Sequence, residues 1–229
     1  MDREGLHMSV QHQSSTRRSV IWFAAIVLCL WLGTCVGSWA QSTQGVSPLF
    51  YDDFGNPQSG WRVGAGRDAQ GRLYKLSYQD GEYAFGLLAD YANCWAWAPI
   101  AATLPASFRL QVSVRVVSGT ADFGFAVGRG DQDHYHFGVA VGGGYYVYRV
   151  TSGEVSSLLV GTGSPVLAGA VHHLELVLQG RDATFSIDGN TLLNFQLPAS
   201  NAPYKVGLEA GSSRGKVEVR FDEFSVTAM

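Results

Sequence analysis

The sequence predicts an all-β protein: a two-sheet antiparallel β-sandwich over residues 49–229, preceded by one apolar N-terminal helix. Three observations predict this fold class. Apolar and polar residues alternate in many short segments, which is typical of strands that bury one face. The chain has 28 glycines against 7 prolines, and glycine recurs between the alternating segments, as expected of turns that join strands. An uncharged apolar segment stands near the N-terminus, apart from the alternating part.

Residues 1–40 have the layout of an export signal. Arg17 and Arg18 precede the uncharged segment 20–37, and Ser38-Trp39-Ala40 places small residues just before Gln41. Because about 18 apolar residues nearly suffice to span a bilayer, a retained membrane anchor over residues 20–40 is the alternative to a cleaved signal peptide. Both interpretations place the domain outside the cytoplasm, secreted, periplasmic or anchored, after a polar linker at 41–48.

Period-two alternation defines the predicted strands. Segment 108–116 alternates apolar with polar residues, and segments 123–127 and 135–141 repeat the pattern. Asp188-Gly189 is typical of a tight hairpin turn. No window after the leader has a helical period. The pattern predicts about 12 to 14 antiparallel strands, which are too many for one flat sheet, so two sheets must stack.

Charge and cysteine content exclude several functions. The chain has 16 Lys and Arg against 19 Asp and Glu, and the basic residues are scattered singly. Such a distribution lacks the basic stripe that binds phosphates, so we expect no nucleic-acid partner. Of three cysteines, Cys94 alone lies in the domain, which excludes an intradomain disulfide. Its strand-like surroundings predict a small buried side chain.

Several short segments between residues 49 and 226 carry a family resemblance. They are Tyr51-Asp52-Asp53-Phe54, Gly60-Trp61, Tyr78–Tyr83, Trp95–Pro99, Phe108–Val112, Phe185–Gly189 and Phe221–Val226. Together they resemble the concanavalin A-like lectin/glucanase sandwich, and within it the laminin-G-like and 3-keto-disaccharide-hydrolase-like (DUF1080) domains of bacterial exported proteins. The resemblance implies a jelly roll whose first and last strands pair. It also implies sugar binding or glycoside hydrolysis as the function.

The polar sides of the predicted strands form a candidate ligand-binding face. Its residues are Arg109, Gln111, Arg115, His134, His136, Tyr146, Tyr148 and Arg149. Gly124 and Ala126 are small and would leave a shallow trough over the middle strand. Trp95 and Trp97 share one strand face and either plate this trough or fill the core, and their large apolar rings favour the core. Aromatic rings beside planar polar groups suit a glycan or cell-surface polysaccharide as partner.

Carboxylate spacing disfavours hydrolysis of a sugar. Glu218 and Asp222 share a strand face, but four strand residues separate them by roughly 13 Å. Glycosidases hold their two carboxyl groups about 5 to 9.5 Å apart. Other glutamates, among them Glu209, stand alone in the sequence. We therefore expect a non-catalytic carbohydrate-binding or adhesion module, with a structural or protein-interaction domain and a DUF1080-type sugar hydrolase as alternatives.

Acidic residues near the two ends of the domain are candidates for a cation site. Asp53 and Asp222 would converge if the first and last strands pair, and carboxylate oxygens are the ligands that Ca²⁺ prefers. The alternative is that these residues cap turns or pair with arginines. We expect no other cofactor, and contact with a membrane only through the N-terminal segment.

Overall fold

The computed structural model describes residues 47–199 and 204–229. Within these ranges the chain forms 13 antiparallel strands and no helix. The strands are β1 (Phe50–Asp52), β2 (Gly64–Arg67), β3 (Leu73–Gln79), β4 (Glu82–Leu87), β5 (Asn93–Trp97), β6 (Ser107–Gly130), β7 (Asp133–Ala140), β8 (Gly144–Thr151), β9 (Glu154–Thr162), β10 (Val171–Gln179), β11 (Asp182–Ile187), β12 (Asn190–Gln196) and β13 (Lys205–Ala228). This number agrees with the prediction.

The predicted apolar N-terminal helix lies outside the described residues, as does most of the 41–48 linker. The described ranges contain no helix long and apolar enough to cross a membrane.

Strands β6 and β13, of 24 residues each, run through both halves of the sandwich. In β6, residues 107–115 pair with β10, whereas residues 122–130 pair with β7. The apolar side chains that belong to the core cluster are even-numbered over 108–116 and odd-numbered over 123–127. Gly119 lies at this switch with a φ of +81°, and a β-carbon there would collide with the backbone of the neighbouring strand. Beyond Gly119 the chain therefore continues in the other layer.

The strands form two layers that share β6 and β13. The first layer has the order β12-β11-β10-β6-β13-β4-β3-β2, and β1 also pairs with β13. The second layer has the order β9-β8-β7-β6-β13-β5. Strands β6 and β13 stay hydrogen-bonded to each other in both layers. The two layers are therefore parts of one continuous sheet, which bends so that its halves face each other as a sandwich.

An apolar core fills the space between the layers. Phe185 of β11 lies 6.3 Å from Phe125 and 6.4 Å from Phe137, measured between ring centroids, and both partners belong to the second layer. All three rings are fully buried, and burying a phenylalanine side chain contributes about 1.5 to 3 kcal/mol. Because the core takes alternate positions of each strand, the positions between them face outward.

The first and last strands pair, which confirms the prediction. Phe50 is opposite Val226, and Asp52 is opposite Phe224. The buried Asp52 carboxylate accepts hydrogen bonds from the indole Nε1 of Trp61 at 2.9 Å and from a backbone N–H of the following turn at 2.8 Å. The Asp52 carboxylate thereby fixes the turn after β1 and the indole of Trp61.

Candidate functional site

The outward side chains of the second layer stand in rows across the strands. One row runs through Trp95, Glu209, Gly124, Gly138 and Tyr146. The adjacent row runs through Trp97, Gly207, Ala126, His136 and Tyr148. Aromatic side chains therefore stand towards both ends of each row, and small residues occupy the strands between them.

Gly138 creates the space that Tyr146 occupies. A β-carbon on Gly138 would overlap the Tyr146 ring and would lie 2.7 Å from Glu209 Oε1. Because glycine has no β-carbon, the Tyr146 side chain can pass over Gly138 and extend across β7 and β6 towards β13. Gly138 is therefore required for the hydrogen bonds of the Tyr146 hydroxyl.

Tyr146, Glu209, Asp122 and His136 form one polar cluster on this face. The Tyr146 hydroxyl donates to Glu209 Oε1 at 2.7 Å, and its oxygen lies 3.0 Å from Asp122 Oδ2. His136 Nδ1 donates to the second Glu209 oxygen at 2.7 Å. Glu209, Tyr146 and His136 are all buried. Both Glu209 oxygens therefore have a donor, which offsets the cost of burying the charge.

The cluster takes up a proton in mildly acidic solution. Burial, together with the nearby charge of Glu209, raises the pKa of Asp122 to about 6. Burial also raises the pKa of Tyr146 well above its ordinary value, so the phenol keeps its proton. One phenolic proton cannot serve two carboxylates at once. Both contacts of Tyr146 are satisfied when Asp122 is protonated and donates to the phenolic oxygen.

Trp95 and Trp97 form an aromatic wall fixed by Asp131. Their indole Nε1 atoms donate to Asp131 Oδ1 at 3.1 and 2.7 Å. These bonds, that of Trp97 foremost, hold the pKa of Asp131 below its usual range. The His134 ring packs against both indoles, with centroids 4.8 and 5.4 Å away, and its burial lowers the pKa of His134 to about 4. The wall is thus held by a charged carboxylate and a neutral imidazole.

A cleft of about 280 Å³ lies over the polar cluster. The residues that line it are Ala69, Gln70, Asn93, Trp95, Asp122, Asp131, Gln132, His136, Tyr148, Val150, Gly153, Val155 and Glu209. His136 is 6% exposed, and its Nε2 has no hydrogen-bond partner among the described residues. A buried polar atom without a partner costs about 1 to 3 kcal/mol. His136 lines the cleft, so a polar ligand group that reached this buried nitrogen would stabilise it.

The sequence matches no family model and no curated protein, whereas solved structures share the fold. A galectin-like protein of unknown function from Bacillus subtilis superimposes with a TM-score of 0.58 and 13% identity, over 80% of this chain and 96% of that one. The carbohydrate-binding module CBM66 from Bacillus subtilis gives a TM-score of 0.53 and 11% identity, over 74% of this chain and 96% of that one. The chain has a concanavalin A-like jelly-roll fold.

A third solved jelly roll is the non-specific endo-β-1,3(4)-glucanase SCLam of family GH16. It gives a TM-score of 0.56 and 11% identity, over 79% of this chain and 90% of that one. The resemblance expected from the sequence is confirmed at the level of the fold. A relation to the DUF1080 domains stays a prediction.

Six predicted binding residues lie together on this face of the jelly roll: Trp95, Trp97, His134, His136, Tyr146 and Tyr148. The favoured placement of the two tryptophans in the core is wrong. Cys94 and Ala96 are buried between the layers, whereas both indoles are half-buried and face outward. The physical reason is that each indole N–H needs an acceptor, which Asp131 supplies on the outer face. The buried Cys94 confirms its prediction as a small core residue.

Arg109, Gln111 and Arg115 lie on the outer face of the first layer, away from the cleft. Arg109 and Gln111 both contact Glu175, at 3.4 and 3.0 Å. Arg115 pairs with Glu82 at 2.5 Å. The separation arises because β6 passes into the second layer after these residues. Segments 108–116 and 123–127 therefore belong to different layers, although both show the same alternation of residues.

Arg149 lies on the side of β8 opposite Tyr146 and Tyr148. Its guanidinium pairs with Asp133 at 3.1 Å and lies 5.5 Å from the centroid of the Tyr135 ring. Successive strand residues point to opposite faces, so Arg149 does not join the neighbouring tyrosines in the cleft.

Asp53 and Asp222, the predicted calcium ligands, each cap a local turn. Asp53 Oδ1 accepts the backbone N–H of Gly55 at 3.0 Å, and Asp222 Oδ1 accepts that of Glu223 at 2.8 Å. Across residues 47–199 and 204–229, no group of three or more His, Cys, Asp or Glu residues is arranged to hold a metal ion. Calcium at this edge stays a prediction.

Asp122, Asp131 and Glu209 are the site residues that sequence reasoning missed. The expectation that Glu209 stands alone is wrong, because strand pairing places it beside His136 and Tyr146. The sequence did contain an indication of Asp122 and Glu209. Asp122 is an even-numbered strand position, like the outward-facing Gly124 and Ala126, and Glu209 lies between Gly207 and Gly211. An acidic residue at an outward position among glycines has room for a neighbour from another strand.

Proposed function

We propose that the cleft beside Trp95 and Tyr148 binds a carbohydrate and that the domain does not cleave it. The observation that carries the proposal is the unpartnered Nε2 of the buried His136, next to a cleft lined by aromatic rings and carboxylates. Sugar hydroxyls donate and accept hydrogen bonds, so one hydroxyl would satisfy this atom in either protonation state of the ring.

The rest of the lining suits a sugar as well. Trp95 and Tyr148 are half-buried and present ring surface for the C–H face of a pyranose, while Asn93, Gln70 and Gln132 supply amide groups. Small-ligand sites typically measure about 300 to 1,000 Å³. The present cleft, at about 280 Å³, lies just below that range, which favours a single sugar unit, such as a chain end, over a long segment of polysaccharide.

Two carboxylates near each other raise the question of hydrolysis. Because both contact the Tyr146 hydroxyl, Asp122 Oδ2 and Glu209 Oε1 are at most about 6 Å apart, below the upper limit of about 9.5 Å for the carboxyl groups of glycosidases. However, the phenolic oxygen occupies the space between them. A glycosidic oxygen would have to take that place to receive a proton, so we propose binding without cleavage.

The structural neighbours support a glycan as the ligand class. One is named a carbohydrate-binding module and another a β-glucanase, and this chain spans nearly the full length of both. At 11% identity these likenesses concern the fold, so the choice of ligand depends on the cleft itself.

Calorimetric titration of the purified protein with a panel of mono- and oligosaccharides tests the proposal. We expect W95A and H136A to weaken binding at least about tenfold, because each removes a contact with the sugar. R109A, on the outer face of the first layer, is the matched control and should bind like wild type. Reducing ends should not accumulate during incubation. Failure of the whole panel to bind, or equal affinity of H136A and wild type, would overturn the proposal.

We also propose that the domain is exported, on the strength of the basic, apolar and small-residue succession in residues 1–40. Cell fractionation with intact-mass measurement tests this. A mature chain beginning at Gln41 indicates a cleaved signal peptide, and an uncleaved chain in the membrane fraction indicates an anchor. An uncleaved chain in the cytoplasm contradicts export.

A further inference from the structure

The charged groups that line the cleft are all acidic. Asp122, Asp131 and Glu209 contribute carboxylates, and the lining contains no Lys or Arg among the residues that the structure describes. Asp131 stays ionised because the two indoles donate to it. Glu209 accepts from two neutral or cationic donors and carries its charge beneath the cleft. The field in the cleft is therefore negative.

Basic side chains nearby are directed to other partners. Arg62 donates to the backbone carbonyl of Trp95 at 2.7 Å and lines the adjacent cleft with Asp68. Arg149 pairs with Asp133 on the other face of β8. Arg62 reduces the negative potential at Asp131, and His136 reduces it at Asp122.

The histidine adds a further acceptor. His136 donates its Nδ1–H to Glu209, and its buried Nε2 has no hydrogen-bond partner among the described residues. In the tautomer that carries its proton on Nδ1, the imidazole offers Nε2 as an acceptor, which suits a ligand that donates a hydrogen bond. An ammonium group donates three hydrogen bonds, accepts none and is attracted by the faces of Trp and Tyr rings.

We propose that the cleft selects amino sugars with a free, protonated amine, placing the ammonium beside Glu209 and Asp122 and the sugar ring against Trp95 and Tyr148. This inference rests on the proposed function, and it names the class of sugar. An N-acetylated amine lacks the positive charge, and a uronic acid or sulfated sugar would bring a negative charge into a negative cleft. Both classes are therefore disfavoured.

Titrations with glucosamine, glucose and N-acetylglucosamine, and with their galactose counterparts, separate the contributions. Monosaccharides are suitable because the cleft matches one sugar unit, so the result does not depend on linkage. At about pH 7, where the amine is largely protonated, we expect the amino sugars to bind roughly tenfold more tightly than the neutral and N-acetylated sugars. Ethanolamine at equal concentration controls for non-specific attraction of amines.

Isosteric variants assign the preference to the two carboxylates. E209Q and D122N should each reduce the preference and together abolish it, with the ratio of amino-sugar affinity to neutral-sugar affinity as the readout. D133N, which removes an acidic group of β7 outside the cleft, should keep the preference. Melting curves show whether each variant folds. If E209Q fails to fold, the sugar preference of D122N alone tests the inference.

The outcomes distinguish the inference from the function on which it rests. Equal binding of amino and neutral sugars, or a preference that survives in D122N and E209Q, would overturn amine selection and leave sugar binding intact. If no sugar binds at all, both proposals fail.

Discussion

The hydroxyl of Tyr146 donates a 2.7 Å hydrogen bond to Glu209, although the two residues belong to strands separated by two others. The contact is possible because Gly138 and Gly124 lie between them and present no side chain. Strands β8 and β13 are thus tied by one side-chain contact across the two strands between them, at the centre of the proposed binding face.

Y146F should destabilise the fold. The substitution removes the donor to a buried carboxylate oxygen, and an unsatisfied buried polar group costs about 1 to 3 kcal/mol. Urea unfolding at neutral pH measures the change. Y145F, one residue earlier on the opposite face, is the matched control. If Y146F has the free energy of unfolding of wild type, the bond to Glu209 does not stabilise the fold.

G138A should displace Tyr146 and weaken sugar binding. The added methyl group would overlap the tyrosine ring, and overpacking of this kind typically costs about 1 to 3 kcal/mol. G86A is the control, because its methyl group would find ordinary contacts at 3.6 Å. Thermal melting together with a sugar titration checks both effects. Wild-type binding by G138A would show that the position of Tyr146 does not matter.

D122N should stabilise the protein at neutral pH but not at pH 4. The pKa of Asp122 is raised to about 6, so the folded state binds its proton more readily than the unfolded state. The stabilisation from that proton is present below pH 4 and is lost as the pH rises through about 6, amounting to about 2 to 3 kcal/mol. Asparagine is neutral throughout. The measurement is the free energy of unfolding of both proteins at pH 4 and pH 7, and an equal difference at the two pH values would contradict the raised pKa.

H134F should reduce the acid sensitivity of the fold. The pKa of His134 is lowered to about 4, so between about pH 6.5 and 4 the unfolded state takes up a proton that the folded state refuses. Wild type should therefore lose up to about 3 kcal/mol over this window, and H134F, which keeps the aromatic packing, should lose less. H173A, at an exposed position, should behave like wild type. The measurement is the slope of unfolding free energy against pH for the three proteins. Equal slopes for H134F and wild type would contradict the lowered pKa of His134.

The fold was predictable from the sequence because burial of one strand face leaves a period-two pattern. Segments 108–116 and 123–127 were recognised as strands for this reason, and the pairing of the first and last strands followed from the family resemblance. The pattern does not state which layer a segment joins. That depends on the crossing at Gly119, which places Arg109, Gln111 and Arg115 in a layer away from His136.

The candidate site was predictable only for residues whose position follows from spacing within one strand. The aromatic and histidine side chains of β5, β7 and β8 were identified from their spacing. Asp122 and Glu209 were not, since 87 positions separate them in the chain and only strand register brings them together. The outward orientation of Trp95 depends on Asp131, which lies in a hairpin far along the sequence.

A crystal structure with the tightest-binding sugar of the panel tests the central claim most directly. We predict the sugar ring against Trp95 and Tyr148, with a hydroxyl or amine within hydrogen-bond distance of His136 Nε2. A sugar bound instead on the first layer, beside Arg109, Gln111 and Arg115, or a cleft without sugar at saturating concentration, would contradict the claim.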